Sequence, residues 1–348
     1  MNDRELLVES LARQADACAR LGSALYAELL GRVAADVEAR GVAWELLGAR
    51  ARDPADSMLS LRMLGAVHRL VLAGSAPELA RFYPSAGGRE DASGAWGPFR
   101  RVLEDHLEDL RAEVGRPVQT NEVGRSAALL GGFLLVVEST GQPLRILEVG
   151  ASAGLNLRWD RFRYEARGAT WGDDASPVRL CGFNTQRLPP FHVAARVVER
   201  RGCDPSPLDP ASPEGAATLA SFVWPDQLER HRNLRAALEV ARRVPAPVDE
   251  ADAVTWVRTQ LSERRDGVAT VVFHSIVLQY LEEAARAELE DAIGSAGRAA
   301  TSSAPVAWLC MEPLDADAAG VWLTRWPGGR RRLIARAGYH GPPVIWLA

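Results

Sequence analysis

The stretch of sequence that decides the fold is Leu147-Glu148-Val149-Gly150-Ala151-Ser152-Ala153-Gly154-Leu155-Asn156-Leu157. A short β-type run, Leu144–Val149, predicts a buried strand, which enters a turn that contains Gly150 and Gly154 and continues into a predicted helix. Glycine lets the backbone approach a ligand closely, and a helix N-terminus offers N–H groups to an anion. The stretch therefore predicts a ligand-binding turn at the carboxyl end of a buried strand.

A dinucleotide-binding site is the first of three kinds of site that use such a turn. It requires the pattern G-x-G-x-x-G, but Ser152 and Leu155 stand at the second and third glycine positions. The sequence therefore disfavours a nicotinamide or flavin cofactor.

A serine hydrolase is the second alternative, because residues 150–154 match the nucleophile-elbow pattern G-x-S-x-G with Ser152 as the nucleophile. Asp315 or Asp317, followed by His340, would complete the usual chain order of a catalytic triad. The largely helical sequence before the predicted strand and the lack of an H-G-G-G element disfavour this alternative, which stays open.

The third alternative rests on a resemblance to a known family. Residues 147–154, with the pattern hydrophobic-Glu-hydrophobic-Gly-x-x-x-Gly, resemble motif I of the class I S-adenosylmethionine-dependent methyltransferases. Ser152 replaces their usual middle glycine. In such enzymes the acid two residues before the glycine, here Glu148, orders the turn and the methionine end of the cofactor. A buried carboxylate is costly unless it is paired, so Glu148 either binds a ligand or caps nearby N–H groups.

The resemblance continues in chain order over about residues 117–348. Residues 197–207 are similar to the second strand of these enzymes and to its ending, where an acid holds the ribose hydroxyls. Asp204 occupies the place of that acid, and Glu199 is the alternative if the strand ends earlier.

Two later segments extend the resemblance. Residues 250–253 resemble the end of the third strand, whose acid reads the adenine amino group, and residues 271–281 resemble motif IV. Together the segments imply S-adenosyl-L-methionine as the cofactor. The residues that the resemblance implies as cofactor-binding are Arg125, Glu148, Gly150, Ala151, Ser152, Gly154, Asn156, Asp204, Asp252, Ala253 and His274.

A dense polar cluster, Val118-Gln119-Thr120-Asn121-Glu122-Val123-Gly124-Arg125-Ser126, precedes a very apolar predicted helix. Asn121 is a good N-cap residue, so capping and solvation explain the cluster in one interpretation. In the other interpretation, the Arg125 guanidinium forms a charge-assisted pair with the methionine carboxylate of the cofactor, and Glu122 faces the cofactor's ammonium or the substrate. Joined to residues 147–157, the cluster also resembles a bacterial family of unknown function that is grouped with methyltransferase-like folds.

The predicted function is methyl transfer from S-adenosylmethionine to a small-molecule acceptor. A sulfonium is already an activated leaving group, so the protein mainly aligns the reactants, and a base is needed only for a protonated nucleophile. His274 is the first candidate base, followed by Glu122, Tyr280 and His340. The absence of an N/D-P-P-Y signature disfavours amino-methylation of nucleic acid. A non-catalytic cofactor- or nucleotide-binding protein of the same fold is the main alternative.

The predicted fold class is α/β, with two parts. An all-helical N-terminal domain or lid over residues 1–116 precedes a doubly wound, mainly parallel, seven-stranded sheet over residues 117–348. The last three β-type runs lack intervening helices, so the sheet should end in an antiparallel hairpin. Residues 158–192, rich in Trp, Pro, Gly and Asp, are predicted to form an insertion. His68 falls alone in an apolar helical stripe, which favours a core or boundary position.

Composition restricts the partners. The net charge of −4 provides no basic field for nucleic acid, and all 41 Lys+Arg residues are arginine, which excludes mechanisms that need a lysine of this chain. The four cysteines form no C-x-x-C pair, which predicts neither a metal site nor a disulfide framework. With no signal peptide or membrane-length apolar run, we expect a cytoplasmic protein. The N-terminal helices suit either a lid over the substrate or a homodimer interface.

Overall fold

The predicted central strand lies in the middle of a large sheet. The computed structural model describes residues 2–54, 57–184 and 187–348. Its strands are β1 (Leu144–Val149), β2 (Arg163–Ala166), β3 (Ala169–Trp171), β4 (Arg179–Leu180), β5 (Val197–Asp204), β6 (Val248–Glu250), β7 (Ala269–Ser275), β8 (Val306–Pro313), β9 (Ala319–Trp326), β10 (Arg330–Gly338) and β11 (Gly341–Trp346). All six residues of β1 are buried, as expected for a strand paired on both sides and covered on both faces.

The main sheet has eight strands in the order β6-β5-β1-β7-β8-β9-β10-β11. The first five are parallel, and β9, β10 and β11 each run antiparallel to the strand before them. An α/β fold with a mostly parallel sheet is thus confirmed, but the predicted count of seven strands is wrong. The predicted terminal hairpin is a three-stranded meander, because tight turns join these strands and leave no room for the crossover that a parallel pair requires.

The order of the parallel strands defines where a ligand would bind. From β1 the chain moves outward to β5 and then β6, and it returns to the other side of β1 to form β7 and β8. Such a reversal of direction is a topological switch point, and open α/β sheets bind ligands outside the carboxyl ends of the strands at that point. The carboxyl ends of β1 and β7 therefore mark the candidate site.

Helices alternate with the strands in this part of the chain. The described helices after residue 120 are α8 (Arg125–Thr140), α9 (Pro213–Ser221), α10 (Leu228–Arg243), α11 (Ala253–Leu261) and α12 (Glu283–Arg298). The apolar helix α8 lies against β7 to β11, and a Cβ on its Gly132 would lie 2.3 Å from a methyl group of Leu309, which explains glycine at this close approach. Side chains of α11 and α12 share a buried cluster with residues of β1, β5, β7 and β8.

The N-terminal part of the chain is helical, as predicted. Its helices are α1 (Asp3–Arg20), α2 (Ala24–Glu38), α3 (Val42–Leu47), α4 (Leu59–Leu72), α5 (Pro77–Ala80), α6 (Trp96–Asp105) and α7 (Leu107–Val114). Asn2 and Glu5 form a reciprocal capping box at the start of α1. An apolar stripe from residue 99 to 114 is divided between α6 and α7, because His106 leaves the helical conformation.

The chain forms two compact units. One comprises Met1–Thr120 and Ala216–Arg232, and the other comprises Asn121–Gly215 and Asn233–Ala348. We call them the helical unit and the sheet unit. The segment Ala216–Arg232 belongs to the helical unit although it follows β5 in sequence. Residues 1, 55 and 56 of the predicted N-terminal domain lie outside the described residues. So do residues 185 and 186 of the predicted insertion.

The predicted insertion, residues 158–192, carries a three-stranded sheet, β3-β2-β4. Its aromatic residues pack the insertion against the rest of the sheet unit: Trp159 is fully buried and stacks on Phe133 of α8 at 4.4 Å between ring centroids. Trp171 also stacks on Trp159, and the Tyr164 hydroxyl donates to the Trp159 carbonyl at 2.8 Å. These contacts give the aromatic residues a packing role.

None of the helices in the described part of the chain has the length and apolar character that a membrane span would need.

Candidate functional site

The turn after β1 is tightly wound and strained. Gly150, Ser152 and Gly154 all have positive φ angles, of 66°, 51° and 66°. A non-glycine residue rarely adopts this conformation, and such strain concentrates at functional sites. A Cβ on Gly150 would lie 2.6 Å from a methyl group of Val277, which follows β7. Gly150 is therefore required by packing between the two strand ends.

The segment that follows the turn differs from the predicted helix. Residues Leu155–Arg161 form a 3-10 segment that is interrupted by a non-helical Arg158. The first N–H of this segment, on Leu155, donates to the side-chain oxygen of Asn121 at 2.7 Å. The expected helix N-terminus with N–H groups open to an anion is thus not formed.

Asp204, the last residue of β5, holds two loops in place. One carboxylate oxygen accepts from the Ser152 N–H at 2.8 Å, and the other accepts from the Ser206 N–H at 2.9 Å. Asp204 is 8% exposed. Glu199, the alternative to Asp204, lies earlier in β5 and forms ion pairs with Arg145 and Arg265, away from this edge.

Glu148 carries an unsatisfied buried carboxylate oxygen. The residue is 2% exposed, and its Oε2 has no hydrogen-bond partner in the described part of the chain. Burial raises the pKa of Glu148 well above its usual value, and the nearby charge of Asp204 adds to the rise, against the opposing effects of Arg158 and Arg125. A buried carboxylate oxygen without a donor is expensive, so a donor on a ligand is the simplest reason for its presence.

The N-terminus of α8 lies at the same edge of the sheet. Arg125 donates to the carbonyl of Tyr339, in the turn between β10 and β11, and to the carbonyl of Ser275, the last residue of β7. Both bonds are 3.0 Å long. The predicted N-cap at Asn121 is wrong: α8 begins after Gly124, which makes no side-chain cap, because the Asn121 side chain binds Leu155 instead.

Asn156 joins α8 to the turn after β1. Its side-chain oxygen accepts from the Ser126 hydroxyl at 2.7 Å, and its amide donates to the Glu122 carbonyl at 3.3 Å. Asn156 is 2% exposed. These bonds bring the predicted polar cluster against the predicted turn, which is a tertiary contact between two segments that sequence analysis singled out separately.

The sequence profile of a family described as an uncharacterised protein conserved in bacteria (DUF2332) matches residues 8–346. The chain belongs to this family. The same comparisons found no match among curated proteins or among solved structures. Membership of DUF2332 agrees with the resemblance to a bacterial family of unknown function and adds no activity or substrate.

The predicted bases of this DUF2332 chain occupy different environments. His274 has no exposed surface, its Nδ1 lies 2.7 Å from Glu312 Oε1, and its Nε2 accepts from the Trp308 indole at 3.0 Å. Because an indole N–H only donates, Nε2 carries no proton and Nδ1–H donates to Glu312. Both nitrogens are therefore engaged on the side of the sheet that carries Trp308. Tyr280, at the end of a 3-10 turn after β7, is 61% exposed.

Glu122 lies beside a second histidine at the carboxyl edge. Its side chain is 8% exposed, and Oε2 lies 3.3 Å from Nδ1 of His340, whose side chain is 35% exposed. The distance suits an ion pair, although the angle is not that of a hydrogen bond. A buried carboxylate behind an accessible imidazole is an arrangement that can accept and hold a proton.

The remaining predicted cofactor residues line the end of β6. Asp252 is exposed and caps α11 by accepting from the Thr255 N–H at 2.7 Å, with Ala253 as the first helical residue. The N–H of Ala251 donates to the carbonyl of Asp204 at 3.1 Å. Asp252 and Ala253 are thus tied to the end of β5.

Two contributors to this edge were missed by sequence reasoning. Glu312, near the end of β8, accepts from His274 and from the Val277 N–H at 3.0 Å, and its buried Oε2 has no described partner. An acid that ends an apolar strand is the signal that identifies Glu148, and it is present here too. Arg158 carries no such signal; it is 2% exposed and donates to the carbonyls of Gly154 and Val244.

A cavity of about 200 Å³ lies at the opposite end of the strands, beside the first residues of β7 and β8. Its lining includes Arg265, which forms an ion pair with Glu199. We place the candidate site at the carboxyl edge, because that edge has the unpartnered carboxylate oxygens of Glu148 and Glu312, the strained turn and the switch point. No group of three or more side chains suited to a metal ion occurs among the described residues.

Proposed function

We propose that the chain is an S-adenosylmethionine-dependent methyltransferase that acts on a small-molecule acceptor. The observation that carries the proposal is the unpartnered, buried Oε2 of Glu148 at the end of β1, beside the strained turn and the switch point. The order of the five parallel strands, with the first strand at the centre, is the order of a doubly wound nucleotide-binding sheet. The closing meander differs from the terminal hairpin that the resemblance implied.

The residues at this edge fit such a cofactor. Glu148 supplies an acceptor for an ammonium group, Asp204 keeps lone pairs beyond the two that bind backbone N–H groups, and Asp252 with Ala253 borders the same edge. These residues would hold its methionine, ribose and adenine parts respectively. When bound, the cofactor supplies a methyl group on a sulfonium.

The chain's own residues then bind, align and exclude water. Asp204 fixes the turn at Ser152, and Arg125 fixes the β10–β11 turn that carries His340. We assign proton acceptance, where the acceptor needs it, to His340 backed by Glu122, since His274 has no exposed surface. His274 instead orders Glu312 and, through it, the backbone after β7.

Replacing Glu148 with Gln separates this proposal from a purely structural role. The pKa of Glu148 is raised in the folded protein, so its contribution to stability is present below about pH 4.5 and declines as the pH rises. At pH 7 to 8 the amide has no proton to take up or lose, so it does not carry this cost. Glu148→Gln should therefore raise the melting temperature of the ligand-free protein, by about 2–4 °C for each kcal/mol gained. The variant should also lose most of the stabilisation that S-adenosylmethionine or S-adenosylhomocysteine gives.

Thermal unfolding with and without each ligand measures both effects. In the wild type, ligand at about 100 times its dissociation constant should add roughly 2.7 kcal/mol. Glu138→Gln, on the half-exposed surface of α8, is the control and should change neither quantity. Flat titrations with both ligands on the wild type would overturn the proposal. Gly150→Val is a poor test, because its side chain would collide with Val277 whether or not a cofactor binds.

A non-catalytic protein of the same fold would bind the cofactor in these experiments too. Consumption of S-adenosylmethionine in a broad screen of small acceptors distinguishes the two. Binding without consumption across the screen favours the non-catalytic alternative.

The serine-hydrolase alternative keeps one supporting observation, the φ of +51° at Ser152. Against it, Ser152 is only 4% exposed and is followed by a 3-10 segment instead of a helix. A fluorophosphonate probe should leave the wild type unlabelled, and Ser152→Gly should retain cofactor binding because glycine suits a positive φ. Labelling that disappears in Ser152→Gly would replace our proposal with the hydrolase.

A further inference from the structure

A second group of unsatisfied polar atoms lies within the helical unit. Four buried oxygens have no hydrogen-bond partner in the described part of the chain: Oγ of Ser23, Oη of Tyr26, Oη of Tyr83 and Oδ1 of Asp226. Ser23, Tyr26 and Tyr83 are at most 1% exposed. Buried polar groups in native proteins nearly always have partners, so these four oxygens are a reason to look for a bound group.

These atoms belong to one region. The second oxygen of Asp226 accepts from the N–H of Leu25, which adjoins Tyr26 at the start of α2, at 3.3 Å. The ring of Tyr26 lies 6.2 Å from that of Trp224, two residues before Asp226. Burial raises the pKa of the Tyr26 and Tyr83 hydroxyls, and the charge of Asp226 adds to both rises. Asp226 therefore lies within electrostatic reach of both phenols.

His68 borders the region. Its ring lies 5.4 Å from that of Tyr83, and its own two nitrogens are engaged, Nδ1 with the Ser221 carbonyl at 3.0 Å and Nε2 with the Ser85 hydroxyl at 2.7 Å. His68 thus has no ring nitrogen to offer to the orphaned hydroxyls.

The chemistry of the region suits an organic cation. A carboxylate only accepts hydrogen bonds, hydroxyl oxygens can also accept, and the faces of Tyr and Trp rings attract positive charge. We propose that Ser23, Tyr26, Tyr83, Trp224 and Asp226 form a binding site for a small ligand that carries a primary ammonium group. The site does not depend on the methyl transfer proposed above.

Calorimetric titration of the full chain tests the site with methylammonium, ethanolammonium and tetramethylammonium, each against a neutral alcohol of similar size. We expect a primary ammonium to bind with a stoichiometry of one and the alcohols to show no binding. Asp226→Asn should weaken the affinity by about ten- to a hundredfold, because it removes a charged partner. Asp105→Asn, an exposed acid on α6, is the matched control and should leave the affinity unchanged.

Tyr26→Phe and Tyr83→Phe provide a readout that a packing role would not give. Each should weaken ammonium binding while raising the melting temperature of the ligand-free protein, because each removes an unsatisfied buried hydroxyl. Absence of binding at millimolar ammonium in the folded wild type overturns the proposal. A crystal structure grown with ethanolammonium that shows ordered water only among these residues does the same.

Discussion

Asp204→Ala should lower the free energy of unfolding of the ligand-free protein by about 1.5–3 kcal/mol, since a buried hydrogen bond to a charged group contributes about that much. The carboxylate accepts from the N–H groups of Ser152 and Ser206. Its removal leaves the buried Ser152 N–H without a partner, while the exposed Ser206 can bond to water. Asp204→Asn should lose less, because it keeps one acceptor oxygen. Urea denaturation of the two variants and the wild type measures the difference.

Asp209→Ala is the matched control for Asp204. Asp209 is exposed, and its carboxylate accepts a single backbone bond, from Ala211 at 2.8 Å, so this change should stay within about 0.5 kcal/mol. From the resemblance alone, Asp204 would hold the ribose hydroxyls of the cofactor, so its loss would weaken cofactor binding and spare the fold. Unchanged stability in Asp204→Ala, together with lost ligand affinity, would restore that view and contradict the structure.

As the pH falls from 6.5 to 4.5, His68 should remove stability from the protein, while Glu148, whose pKa is raised, acts in the opposite direction. Burial, together with the charge of His231, lowers the pKa of His68 from 6.5 to about 3, against the opposing bond to Ser221. In this pH window His68 binds a proton in the unfolded chain but not in the folded chain. The stability that His68 contributes is therefore present above pH 6.5 and is lost below it. The contribution of His68 approaches about 1.4 kcal/mol per pH unit, or about 2–3 kcal/mol over the window.

Urea denaturation at several pH values in this window measures the slope. His68→Asn removes the titrating group and should take its contribution out of the slope, whatever it does to the stability at neutral pH. His192→Asn is the control, because the His192 side chain is 75% exposed, and it should keep the wild-type slope. Equal slopes in the wild type and His68→Asn would show that His68 takes up its proton without unfolding.

The sequence predicts a residue of the candidate site where a charged side chain stands among apolar neighbours. Glu148 stands in an apolar strand, and that conflict marks it in the amino-acid sequence alone. Asp204 is predicted from a resemblance, and the structure places it at the edge next to the turn. The hydrogen-bond partners of these carboxylates are not predictable from the sequence. Asp204 accepts from Ser206, two residues away, but also from Ser152, which is 52 residues away.

The histidines also show that the sequence predicts where a residue lies better than it predicts what the side chain contacts. The sequence predicts His68 to be a core or boundary residue, and it is fully buried. The sequence also predicts that His274 opens onto a substrate, because it ends a strand at the carboxyl edge. A strand residue near its end still points to one face of the sheet, and here that face presents Trp308 and Glu312 as partners for both ring nitrogens. The sequence predicts the strand, but the face of the sheet to which the His274 side chain points depends on how the neighbouring strands pair with it.

The sequence by itself determined the helical first part, the central buried strand, the glycine turn and the mostly parallel sheet, because each depends on local periodicity and turn chemistry. Tertiary structure alone decided the meander of the last three strands, the 3-10 segment after the turn and the transfer of Ala216–Arg232 to the helical unit. It also decided which polar atoms are left without partners, in Glu148 and in the helical unit around Tyr26 and Asp226. Satisfaction of a buried group depends on neighbours that are distant in sequence, and no local pattern records those neighbours.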